Sequence, residues 1–127
     1  MTKEFYKDIS YINHKEHSLF EIILGENNID SSAVFIEKIS VFVELICLKK
    51  PLFVLFNKRD EDFKINKAIY NFTHNQILDS IFKSGVRAVF FLVTDERYEL
   101  YKNSINRENV FAFKFYEDIF NFIENKK

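Results

Sequence analysis

Ser84-Gly85-Val86-Arg87-Ala88-Val89-Phe90-Phe91-Leu92-Val93 is the stretch on which the fold turns. A glycine closes a helical pattern, and a run with no polar residue from Ala88 to Val93 follows it. A short apolar run of β-branched and aromatic residues marks a strand buried on both faces, at the centre of a mostly parallel sheet. Leu52-Phe53-Val54-Leu55-Phe56, directly after Pro51, has the same character. The two runs are expected to lie side by side, parallel, each flanked on both sides.

Downstream of Val93, Thr94 or Asp95 offers an N-cap to a short helix over about Glu96–Ile105, with Tyr98, Tyr101 and Ile105 on one face. Val110–Phe115 is a last strand in which Phe111, Phe113 and Phe115 alternate, and Glu117–Asn125 closes as a helix packing through Ile119, Phe120 and Ile123. Upstream of Gly85, the helical pattern from Asn66 to Ser84 changes phase at Thr73-His74-Asn75-Gln76, a capping box in form. It reads either as a kinked helix or as two short ones. Asp30, Ser31 and Ser32 cap a further helix that Pro51 ends. At the N-terminus, Phe5–Ile12 and Leu19–Leu24 flank the polar turn Asn13-His14-Lys15-Glu16-His17 and form a hairpin. The order ββαβαβαβα is that of an α/β fold: one domain over residues 1–127, a five-stranded, mixed, mostly parallel sheet, and helices on both faces.

The 127 residues suffice for one core. Net charge is −1, with acids and bases intermixed, so no basic face announces nucleic acid and no charged face announces a membrane. Met1-Thr2-Lys3-Glu4-Phe5 shows no apolar leader segment, and Ala88–Val93 is too short to span a bilayer. With a single cysteine, Cys47, these features point to the cytoplasm. Gly25 and Gly85 are the only glycines, which excludes a Rossmann fingerprint or a P-loop, and no cofactor is indicated. The chain carries 16 Phe, 6 Tyr and no Trp.

The element order matches the STAS, or SpoIIAA-like, fold. Phe63-Lys64-Ile65, Phe72, Ile81 and Lys83-Ser84-Gly85-Val86-Arg87-Ala88-Val89 resemble the pattern of a group of short bacterial STAS-like proteins. Phe115-Tyr116-Glu117-Asp118-Ile119-Phe120-Asn121-Phe122-Ile123 is similar to that group's closing strand and helix. The resemblance implies the fold and a regulatory role through protein contacts. STAS-type anti-sigma antagonists carry a phosphorylatable Ser in the loop after the third strand. Asn57-Lys58-Arg59-Asp60-Glu61-Asp62-Phe63 stands there and contains no Ser or Thr, so no residue role carries over. Asp30-Ser31-Ser32 imitates the antagonist motif but precedes the first helix, where it is expected to cap.

Asn57, Lys58, Arg59, Asp60, Glu61 and Asp62 follow a central strand, at the carboxyl edge where open α/β sheets place ligands, and Asp95 follows the next strand at the same edge. These residues are the candidate interaction or ligand edge. A solvated loop explains Asp60, Glu61 and Asp62 more simply than Mg²⁺ does, and capping explains Asp95. His14 and His17 are expected to be solvated turn residues and His74 to open a helix. Cys47 belongs in the core, so no zinc site is drawn from them. No catalytic set stands in a motif.

In the first helix, Phe35, Ile39, Phe42, Val43 and Ile46 form one apolar arc, and Val34, Val41, Leu45 and Leu48 a second stripe. The stripe is covered either within the chain or by a second copy in a homodimer. The leading expectation is a non-enzymatic STAS-like interaction module with an unknown protein partner. A carrier or sensor of a small apolar ligand, suggested by the Phe surplus, is the alternative. An enzyme using Asp60–Asp62 comes third.

Overall fold

The computed structural model describes residues 3–60 and 67–126, with only the helical backbone of Lys67–Tyr70, Phe72, Thr73 and Lys126. The described residues form an α/β fold with one six-stranded mixed sheet and four α-helices. The strands are β1 (Lys3–Tyr6), β2 (Ile9–His14), β3 (Leu19–Ile23), β4 (Phe53–Asn57), β5 (Ala88–Leu92) and β6 (Val110–Phe113). The helices are α1 (Ser32–Lys49), α2 (Lys67–Lys83), α3 (Asp95–Ser104) and α4 (Tyr116–Lys126). The strands lie in sequence order across the sheet: β1, β2 and β3 are antiparallel, and β3 to β6 are parallel.

The sheet has one strand more than the apolar pattern indicated. Phe5–Ile12 is not a single strand but the end of one hairpin arm and the start of the next, with Tyr6 opposite Ile9 across a tight turn at Lys7-Asp8. Lys7 takes a left-handed conformation there (φ 53°), and no glycine marks the turn. Ser18 (φ 51°) closes the next connection, a short 3-10 turn over Lys15–His17.

The two central strands are β4 and β5, parallel and in register from Phe53 opposite Ala88 to Asn57 opposite Leu92. Every residue of both is buried. Alternation sends their side chains to two cores. On one face Ile22, Val54, Phe56, Val89 and Phe91 meet α1, α2 and the tyrosine face of α3. On the other, Leu19, Phe53, Leu55, Phe90 and Leu92 meet Ile119 and Ile123 of α4. All three crossover helices share one face, as crossovers of one hand require when strand order advances in a single direction. No described helix is long and apolar enough to cross a membrane.

Local signals place the helix ends. Ser31 is the N-cap of α1, its side chain accepting from the Val34 backbone N–H at 3.2 Å. Lys50, left-handed at φ 51°, ends that helix one residue before Pro51. Gly85 (φ 107°) terminates α2, donating its N–H to Phe82. Of the two readings at Thr73, a pair of short helices is corrected: α2 is one helix from Lys67 to Lys83. β6 stops at Phe113, so Phe115 leaves the alternating strand and lies 57% exposed.

Candidate functional site

β4 ends in Asn57, and Lys58 follows it. Neighbouring side chains of an extended chain point to opposite faces, so these two polar groups enter the two cores. Both are buried, at 2% and 0% exposure. The carboxyl edge of the central strand thus carries two separate polar centres, one under α4 and one under α2 and α3.

Under α4 the centre is Glu21, fully buried on β3. His14 on β2 contacts Glu21 Oε1 through Nε2 at 2.8 Å. Asn57 donates from Nδ2 to Glu21 Oε2 at 3.0 Å and to the Tyr116 hydroxyl at 3.0 Å. Tyr116, the first residue of α4, donates its own hydroxyl to Glu21 Oε2. Three side chains from three elements converge on one buried carboxylate and fill its acceptor sites. Burial pushes the Tyr116 phenol well above its ordinary range, and the Glu21 hydrogen bond and charge add to this. Asn57 and Arg59 oppose that shift.

Under the other face, the Lys58 ammonium lies 4.9 Å from the Phe91 ring centre and 5.1 Å from that of Tyr101, a cation–π arrangement. The His74 ring sits against Phe91 at 4.9 Å and Phe56 at 5.7 Å. Both its ring nitrogens are shut off from solvent. Burial, aided by the charge of Lys58, holds the His74 imidazole well below its ordinary pKa.

Between the two centres the chain surfaces at Arg59 and Asp60, both exposed. Asn57 Oδ1 accepts from the Arg59 backbone N–H at 3.1 Å, and the Arg59 guanidinium lies 4.9 Å above the Tyr116 ring. Asp60 packs against Gly25, where an added Cβ would sit 2.6 Å from Asp60 Cβ and from its carbonyl oxygen. Both residues are exposed, Arg59 with its guanidinium over Tyr116 and Asp60 with its Cβ and backbone close to Gly25.

The sequence candidates therefore divide. Asn57 and Lys58 are interior, Arg59 and Asp60 form the surface, and Glu61 and Asp62 lie outside the described residues. Asp95 stands apart, paired with Lys114 at 3.2 Å, its side chain 81% exposed. Among the described residues no cluster of His, Cys, Asp and Glu gathers as metal ligands. The described strand order never reverses, so the sheet lacks the switch-point crevice in which open α/β sheets bind ligands.

The second stripe of α1 also divides. Leu45 is fully buried, Val34 and Val41 pack half-buried on the same core, and only Leu48 stands out, 62% exposed. The cover is α2 and the first hairpin, because a helix in a layer touches its neighbours as well as its sheet. Cys47, expected in the core, is exposed.

The histidines are corrected as well. His14 is buried against Glu21, His17 stacks on Phe120 at 4.6 Å, and His74 lies inside α2 rather than at its start. Glu21 and Tyr116 carry no site motif in the sequence, and His14 stands in it as a turn residue. The one signal for them was a single acid, Glu21, inside the apolar run Leu19–Leu24. No family model, curated protein or solved structure matches this chain.

Proposed function

We propose that this chain is a non-enzymatic, STAS-like regulatory or interaction module whose contact surface is the polar edge after β4. The observation that carries the reading is the treatment of Arg59 and Asp60. They are exposed, yet Asn57, Tyr116 and Gly25 hold them from three sides. An exposed pair of opposite charge on a backbone held this way suits recognition, because less loop ordering remains to be lost on binding. The polar groups behind it are spent internally: Glu21 already takes hydrogen bonds from Tyr116 and Asn57, and His14 contacts it as well. The STAS-like part rests on the order of alternating strands and helices and on the Gly85–Val89 strand opening. Ser31, engaged as a helix cap, supports a module without a phosphorylated serine.

A carrier of a small apolar ligand is the weaker reading. The phenylalanine surplus is used in packing: Phe90 alone meets the rings of Phe53, Phe111, Phe113 and Phe122.

The test is quantitative affinity purification from the native host, with wild type beside Arg59→Glu/Asp60→Lys. A protein enriched by wild type and lost by a charge-swapped variant of unchanged melting temperature supports the reading. Enrichment indifferent to the swap overturns it. So does thermal stabilisation by Mg²⁺ or nucleotides that disappears in Asp60→Asn.

A further inference from the structure

A second surface, separate from the Arg59–Asp60 edge, lies along β6. Among the described residues this strand ends the sheet, and its only neighbour is β5. Val89 donates to Asn109 O at 2.9 Å and Val93 to Phe113 O at 3.0 Å. With period two, Asn109, Phe111 and Phe113 therefore turn their backbone groups towards β5. Val110, Ala112 and Lys114 turn theirs outward, and among the described residues nothing pairs with them. Such a row is a template for a further strand.

A groove of about 370 Å³ follows this edge, lined by Tyr98, Lys102, Ile105 and Arg107 together with the four residues of β6. Both faces of the strand contribute, so the groove brackets the open edge rather than lying on one face. Its size is at the low end for ligand sites and suits a few residues of extended chain. The lining holds two cations and no carboxylate. Arg107 is engaged with Asp79 at 2.6 Å, whereas Lys102 lies over the Tyr98 ring at 5.8 Å with no acidic partner among the described residues.

We propose that β6 accepts an extended acidic segment of a partner protein as a seventh strand, its backbone paired with Val110, Ala112 and Lys114 and a carboxylate set against Lys102. Strand addition draws affinity from the main chain and selectivity from flanking side chains. A second copy fits less well, because a two-fold pairing of β6 with itself would line up Lys102 and Arg107 of both chains along one seam.

The experiment titrates the ¹⁵N-labelled full chain with the peptide acetyl-Glu-Val-Glu-Val-Glu-Val-Glu-amide. Saturable amide shifts centred on Val110, Ala112 and Lys114 are expected. Lys102→Glu should weaken binding roughly two- to fivefold, the worth of one exposed ion pair. The Lys-for-Glu peptide should leave these amides unmoved. Ala112→Pro should abolish binding while sparing the β5 ladder, since that N–H points outward. A peptide N-methylated at alternate residues tests the same bonds from the other side and should not bind. Shifts centred elsewhere, no saturation at millimolar peptide, or undiminished binding by the N-methylated peptide overturns the proposal. A wild-type dimer that becomes monomeric in Ala112→Pro assigns the edge to a second copy and overturns it too.

Discussion

Tyr116 Oη donates its hydrogen bond to Glu21 Oε2 across 95 residues of sequence, joining the first turn of the last helix to the third strand. Among the described residues α4 is the only α-helix on its face of the sheet, and this bond, with Asn57 between the two groups, fixes where it begins. Burying an acid is costly, and removing this one would leave its buried polar partners without their acceptor.

Glu21→Ala should therefore destabilise the fold by about 3 kcal/mol, because His14, Asn57 and Tyr116 lose a common acceptor. Tyr116→Phe removes one donor and should cost about 1 kcal/mol. Urea denaturation of both variants gives the comparison. Equal losses would mean that Glu21 is not the centre of the network.

His74 predicts a dependence on acid. Its folded pKa is depressed by burial and by Lys58, so the unfolded chain takes up a proton that the folded chain refuses. The contribution of His74 is fully present above about pH 6.5, the unfolded value. It falls as pH drops below that towards the folded value. Urea midpoints at pH 7.5, 6.0 and 5.0 should decline more steeply for wild type than for His74→Leu. Parallel declines would contradict the buried neutral ring.

Gly25→Ala tests the fixed edge. The new methyl would meet Asp60 Cβ and carbonyl oxygen at 2.6 Å, and backbone must move to admit it. A loss of roughly 1–3 kcal/mol is expected from overpacking. The Arg59 and Asp60 amide resonances should shift with it. A Gly25→Ala variant as stable as wild type, with those resonances in place, would show that the loop is not held there.

Within the α1 stripe, Leu45→Ala should cost about 2–5 kcal/mol as a core cavity, and Leu48→Glu should stay within about 0.5 kcal/mol. Thermal melts of the two variants separate the cases. A severe loss at Leu48 would place an unseen cover over it.

The α/β class, the two central strands, the cap at Ser31 and the stop at Gly85 were all legible along the chain. Each of these is local: an apolar run, a side chain within reach of a nearby N–H, or a residue free to adopt positive φ. The sixth strand stayed hidden because Lys7 makes its turn without the glycine or asparagine that would announce it. The phase change at Thr73 did not break α2, since helical propagation and packing against α1 outweigh a local capping pattern. The cover of Leu45 was not legible because a helical wheel describes one helix, while burial depends on every layer around it. His14 and His17 sit in a strand and a turn, and Glu21 and Phe120 from other elements meet them. The meeting of His14, Glu21, Asn57 and Tyr116 belongs to the folded arrangement alone. Strand register and the placement of α4 bring these distant residues into contact, and no spacing along the chain encodes that distance.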